Sequence, residues 1–366
     1  MSRNEKRIGV LTGGGDCPGL NGVIRAVTKT AQNEYGATVL GIEDGFEGLV
    51  EGRAHELSHR EVSGILGLGG TILGSSNKGD PWHYPVEASG GQIEIHDVAF
   101  KAIRNFQRWR LDCLVAIGGD GTMQIARRLQ DAGVPIVGVP KTIDNDVPGT
   151  DVTFGFDSAV SVVCEAIDRL ATTASSHHRV MVVEVMGRYA GWIALMGGVS
   201  GGADLILIPE IAFTWECVFR KVNERQTQGK RFTMICVAEG AKLPDGTQVI
   251  QQIDPRRTDA KRLGGVGAQI AQQIESATGH ETRVTVLGHL QRGGPPTSAD
   301  RVLATRYGAA ASRHACQGQG GIMVALRHGS IIALPLAEAT GALRTVNPDH
   351  DLVSAARAVG TSFGDA

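Results

Sequence analysis

Two stretches, IGGDGT (Ile117–Thr122) and PKTIDNDVPGT (Pro140–Thr150), decide how this sequence is read. The first closes an apolar run, Leu114 to Ile117, with two glycines, a carboxylate, a third glycine and a hydroxyl. A strand ends this way when its backbone must come close to a polyphosphate. Glycine removes the Cβ that would block the approach, and bare N–H groups face the anion. The second repeats the plan. Val134 to Val139 reads as a strand opening onto Lys141, Thr142, Asp144 and Asp146. One loop suits a phosphate with Mg²⁺ and the next suits a base with a cation, the parts that phosphoryl transfer needs.

Outward from these loops, short apolar runs alternate with longer amphipathic segments. Strands are predicted at Arg7–Leu11, Thr38–Ile42, Cys113–Ile117, Ile136–Val139, Val180–Val185, Leu205–Ile208, Thr233–Ala238 and Arg283–Leu287. Several are rich in Val, Ile and Leu without alternation, as in parallel strands covered on both faces. Helices are predicted at Gly19–Asn33, Val98–Trp109, Thr122–Ala132, Phe156–Thr173, Gly191–Gly197, Thr214–Gln228, Gly264–Thr278 and Ala299–Gln317. The pattern is that of an α/β protein. We expect two doubly wound, Rossmann-like α/β/α domains with mainly parallel sheets and chain crossovers between them. The expected domains are 1–154 plus 290–340, and 155–289 plus 341–366. The tail from Gly341, with NPDHD and an apolar stretch Leu352–Val359, reads as packing or a subunit contact.

Composition sets bounds. The chain has 366 residues and 50 glycines, about twice the usual glycine share, and no short repeat accounts for them. A net charge of −2 gives no broad basic field for nucleic acid. No apolar stretch approaches membrane-span length, and the N-terminus lacks a signal-peptide apolar region. Six cysteines without CxxC spacing read as reduced thiols in a cytoplasmic protein.

A third glycine-rich loop, LTGGGDCPGLNGVIR (Leu11–Arg25), places N–H groups at a helix start. Alone it is equally a tight turn, and it is neither a Walker loop nor GxGxxG. Asp120 is the natural Mg²⁺ ligand. Asp144 is the candidate base, Thr142 can bond a phosphate oxygen, and Lys141 can reach the migrating phosphoryl group.

The chain resembles the 6-phosphofructokinase family over nearly its whole length. The segments that carry this include GVLTGGGDCPGLNGVIRAV, GGTILGSS, AIGGDGT, PKTIDNDVPGTDVTFGFDSAV, SSHHRVMVVEVMGRYAGWIAL, GGADLILIPE, VAEGA and RVTVLGHLQRGGPPTSADR. The resemblance implies Mg²⁺-dependent phosphoryl transfer to O1 of fructose 6-phosphate. Gly15, Gly119, Asp120, Gly121 and Thr122 would cradle the donor, with Asp120 on the metal. Thr142, Ile143 and Asp144 would face the acceptor, with Asp144 as base. Met186, Gly187, Arg188, Glu239, His289, Leu290, Gln291 and Arg292 would hold the sugar phosphate, Arg188 also serving catalysis. Arg179 and Arg283 match positions that reach the 6-phosphate from a neighbouring subunit. That implies a homo-oligomer, dimer or tetramer, with shared sites.

The donor, ATP or pyrophosphate, is marked twice. Gly121 is the residue of ATP-using members, where pyrophosphate users typically carry an acid. Lys141 is of the type seen in pyrophosphate users. The pairing looks like the family's mixed-substrate subgroup, in which it goes with ATP. One departure stands out: Asn77 lies near the place of a donor-bridging arginine, with Lys78 next to it as a less directional substitute. The following segment, Gly79–Gly91, reads as a mobile loop beside the donor. Arg25, Lys29, Arg53, Lys230 and Arg231 lie near positions that bind effector phosphates in regulated members. A non-catalytic sugar-phosphate-binding subunit is the alternative of another class.

Overall fold

The structure is a computed structural model and describes residues 5–87, 93–253 and 261–366. Three strands, Arg7–Thr12, Cys113–Gly118 and Ile136–Pro140, lie side by side and parallel. All residues of the last two are buried, as unalternating apolar runs require. They form the centre of a sheet ordered Ser330–Pro335, Ile322–Arg327, Ile136–Pro140, Cys113–Gly118, Arg7–Thr12, Thr38–Ile42 and Ala54–Glu56. A second sheet, parallel throughout, runs Thr282–Val286, Val180–Val185, Thr233–Ala238 and Leu205–Leu207. Helices cover both faces of the first sheet. Leu20–Tyr35 and Ser298–Cys316 pack together on one side, where the Ser312 hydroxyl donates to the Val27 carbonyl at 3.0 Å. The doubly wound α/β architecture is the one expected, and the eight predicted strands and eight predicted helices are present within a few residues at each end.

The antiparallel additions differ from expectation. Ala54–Glu56 pairs with Thr38–Ile42, and Ile322–Arg327 turns back into Ser330–Pro335. That turn is made by His328 and Gly329, with φ of 49° and 79°. A His-Gly pair is a weak hairpin signal beside Asn-Gly. Part of the stretch expected as a loop is also a strand: Tyr84–Glu87 pairs with Ile93–His96. Residues 88–91 of that expectation lie outside the described residues. Another hairpin joins Ile250–Ile253 to Lys261–Leu263.

Three helices begin on glycine with no cap of their own, and distant carboxylates supply it. Asp300 accepts from Gly155 N at 2.9 Å and Ser158 N at 2.8 Å, at the start of helix Phe156–His177. Glu210 accepts from Gly191 N at 2.9 Å before helix Trp192–Ser200. Glu184 accepts from Gly265 N at 2.9 Å and Gly267 N at 2.8 Å at helix Val266–Thr278. Each places a carboxylate where the helix dipole and the free N–H groups favour it.

Candidate active site

Because Arg7–Thr12, Cys113–Gly118 and Ile136–Pro140 are parallel neighbours, their C-terminal loops meet at one edge of the sheet. Gly13 N donates to the Ile117 carbonyl at 2.8 Å, and Lys141 N to the Gly118 carbonyl at 2.9 Å. The loops enclose a cavity of about 300 Å³ walled by Gly14, Gly15, Gly119, Gly121, Thr122, Lys141, Thr142, Ile143 and Arg292, among others. One glycine is sterically required, and a second faces the movable end of a long side chain. A Cβ on Gly13 would stand 2.6 Å from Thr122 Oγ1, and one on Gly15 would collide with the Arg292 guanidinium. Gly121 has open space where its Cβ would be.

Asp120 opens helix Asp120–Asp131, between the cavity-lining Gly119 and Gly121. Its Oδ2 accepts from Gln124 Nε2 at 2.7 Å, while Oδ1 is buried without a hydrogen-bond partner among the described residues. Burial raises its pKa. No three His, Cys, Asp or Glu side chains gather into a metal cage among the described residues. Mg²⁺ asks for less, one or two carboxylates beside phosphate oxygens and water, and the spare Asp120 oxygen fits that demand. Asp144 likewise keeps a buried, unpartnered Oδ1. Burial raises its pKa, against the pull of Arg292, Lys141 and Arg188. Asp146 is raised too, first by burial and then by Asp144. The turn between them is left-handed, with Asn145 at φ 54°. Lys141 is buried, its ammonium donating to the Gly15 carbonyl, and burial lowers its pKa.

The second sheet brings its own loops to this edge. Val180–Val185 leads into Met186, Gly187 and Arg188, and Thr233–Ala238 into Glu239. Gly187 has φ 132°, and a Cβ there would meet the Ala190 carbonyl at 2.8 Å. Glu239 is pushed up to about 7 by burial and by Asp144 and Glu184, with Arg292 and Arg188 opposing. The turn Gly288–Gln291 carries the remaining residues. Gln291 is fully buried, its side-chain Oε1 accepting from Met186 N at 3.3 Å, whereas His289 and Leu290 are exposed. Only Arg292 of that group lines the cavity. Arg179 and Arg283 do not join this edge. Arg179 precedes Val180, seven residues from Met186, which is about 23 Å along a strand. Arg283 lies beside Met181 in the register. Both arginines pair with Glu281, Arg179 at 2.8 Å.

Several contributors had no local sequence signal. Arg128 lines the cavity with Phe46 and Ile125, and its guanidinium lies 4.0 Å from the centroid of the Trp82 ring. Arg344, from the tail, donates to the Asn145 carbonyl at 3.0 Å. Asn77 lines the cavity, but Lys78 is exposed and does not, so the cations there are Lys141, Arg292 and Arg128. Arg53 is held by Asp44 at 3.2 Å, Glu47 at 3.6 Å and Glu51.

A family model described as phosphofructokinase matches residues 7–315. The chain belongs to the phosphofructokinase family. Among its relatives in that family, an "ATP-dependent 6-phosphofructokinase" of Spirochaeta thermophila is 50% identical, with all of both chains covered. One of Chloroflexus aggregans is 51% identical, covering 100% of this chain and 99% of the other. Phosphofructokinase from Saccharomyces cerevisiae superposes with a TM-score of 0.76 at 31% identity, over 92% of this chain. This chain covers 45% of that longer chain. A pyrophosphate-dependent phosphofructokinase from Nitrosospira multiformis shares the fold, with a TM-score of 0.80 at 21% identity over 98% of this chain and 92% of the other. Among the described residues no helix is long and apolar enough to cross a membrane.

Proposed function

We propose that the protein is an ATP-dependent 6-phosphofructokinase, transferring the γ-phosphoryl group of ATP to O1 of fructose 6-phosphate. The observation that carries this is the pair of buried, unpartnered carboxylate oxygens, Asp120 Oδ1 and Asp144 Oδ1, beside a glycine-walled cavity that also holds Lys141 and Arg292. A buried acceptor without a donor is costly, and bound reactants repair it. Asp144 takes the proton of the O1 hydroxyl. Its raised affinity for protons makes it a better base than a solvated carboxylate. Lys141 and Arg292 face the charge that builds on the transferred group. Asp120 would hold Mg²⁺, whose charge would offset that of the donor phosphates. Met186, Gly187, Arg188 and Glu239 orient the sugar.

ATP is favoured over pyrophosphate because Gly121 leaves open space without an acidic side chain, and because Phe46, Ile125 and Arg128 also line the cavity, a mixed apolar and basic wall that suits a nucleotide. The pairing of Gly121 with Lys141 supports a reading of the chain as one of the mixed-substrate subgroup. The distance of Arg179 and Arg283 from Met186 calls for a second copy to bring them to the sugar phosphate, so the working unit is a homo-oligomer with shared sites. The pairing of Arg53 with three carboxylates speaks against a phosphate effector at that residue.

The test is fructose 1,6-bisphosphate formation from fructose 6-phosphate and Mg²⁺, with ATP and pyrophosphate in parallel. Activity with ATP alone is expected. Turnover with pyrophosphate alone would overturn the donor, and none with either would overturn the activity.

A further inference from the structure

The TIDND loop is held from below by a segment far outside the glycine-rich motifs. Arg344 ties to it twice: its backbone N–H donates to the Asp146 carbonyl at 2.8 Å, and its guanidinium Nη1 to the Asn145 carbonyl at 3.0 Å. These carbonyls belong to the residues that follow Asp144. Asn145 is buried and left-handed, a conformation that asparagine visits more readily than most non-glycine residues and that the surrounding bonds hold here. Its own side chain helps, Oδ1 accepting from Thr153 N at 2.9 Å.

The other side of Arg344 faces the second sheet. Its guanidinium carbon lies 4.3 Å from the Trp192 ring centroid, and its carbonyl accepts from Trp192 Nε1 at 2.9 Å. Trp192 opens the helix that follows the Met186–Arg188 loop. Two residues on, Val346 N donates to Glu210, the carboxylate that also receives Gly191 N. One residue of the tail therefore spans the loop bearing the candidate base and the segment bearing Arg188.

We infer that Arg344 is a positioning residue of the phosphoryl-transfer site, setting the Asn145 turn that aims the Asp144 carboxylate against the sugar-binding loop. It touches neither reactant in the cavity and acts through Asn145 and Trp192. Its role differs from plain packing in one respect: truncation should disturb the aim of the base while leaving both binding pockets built. A misplacement on the order of 1 Å costs about 100-fold in rate.

The inference rests on the proposed activity, and the experiment separates the two. Steady-state kinetics are measured for the full chain, Arg344→Ala, Arg344→Lys and Trp192→Phe. The main-chain bonds of residue 344 survive both Arg344 substitutions, which favours folded variants. For Arg344→Ala, kcat should fall about 30-fold while KM for ATP and fructose 6-phosphate stays within about threefold, and free guanidinium should recover kcat several-fold. Arg344→Lys keeps a donor but loses the planar stack, so an approximately fivefold loss is expected. Trp192→Phe should give a smaller loss in the same sense. Unchanged kcat in Arg344→Ala, or a loss carried wholly by KM, would overturn the inference while leaving the activity standing. Should Arg344→Ala not fold, wild-type kcat in Arg344→Lys would overturn it equally. An inactive wild-type protein would overturn the activity and the inference together.

Discussion

At the scale of single residues, the site depends on carboxylates kept short of partners. Asp144→Asn preserves size and hydrogen bonding but cannot take a proton. It should lower kcat about 1,000-fold while fructose 6-phosphate still binds, as calorimetry would show. Normal turnover would remove Asp144 from the role of base. Glu239 makes a prediction about stability. Folding moves its pKa from about 4.5 to about 7. Between these values the native state holds a proton that the unfolded state has lost, so raising the pH through this window favours unfolding. The ligand-free melting temperature should therefore fall from pH 5 to pH 8, and Glu239→Gln should flatten that fall. An equal slope in the variant would mean that other groups govern it.

At the scale of elements, the helix Asp120–Asp131 shows binding and stability pulling apart. Gly121 sits in its first turn with nothing within 4 Å of an added Cβ. An aspartate there should be tolerated or mildly stabilising, since the helix start favours negative charge. The same charge would face the donor phosphates at a cost of several kcal/mol. Gly121→Asp should keep the melting temperature yet lower kcat/KM for ATP by about 100-fold or more. A variant that unfolds would refute the open geometry, and one with unaltered ATP kinetics would refute the donor placement. The parallel strands ending in Gly118, Pro140 and Val185 were legible because strands buried on both faces read as unbroken apolar runs. The hairpin at His328–Gly329 was not, because a non-glycine residue at φ 49° leaves little local signature. The starts of helices Phe156–His177 and Trp192–Ser200 carried no capping residue of their own, since Asp300 and Glu210 do that work from far along the chain. Arg344 was hidden for a similar reason: it addresses backbone carbonyls, which leave no side-chain motif at the receiving end.

At the scale of the molecule, the proposed sharing of sites between copies makes a prediction. The Asp144 edge lacks the arginines that the family motif assigns to the 6-phosphate, and Arg179 and Arg283 gather on Glu281 instead. Mixing two inactive variants tests whether copies complete each other. Asp144→Asn and Arg283→Ala, refolded together, should recover about a quarter of wild-type activity if each site borrows its arginine from a symmetric partner. No recovery in a mixture shown by mass to contain hybrids would mean that each chain builds its site alone.

The order of strands also has a bearing on how the protein is made. Ile136–Pro140 pairs on one side with Cys113–Gly118 and on the other with Ile322–Arg327, which is nearly the last strand in the chain. While the intervening segment is being translated, an apolar strand with a full row of bare backbone groups waits for its neighbour. A ribosome adding about 5–20 residues per second leaves it waiting on the order of 10 s or longer. The emerging first sheet is thus open to mispairing with other nascent chains for much of its synthesis, and slowed elongation between these two strands should lower the soluble yield more than the same delay placed after Pro335.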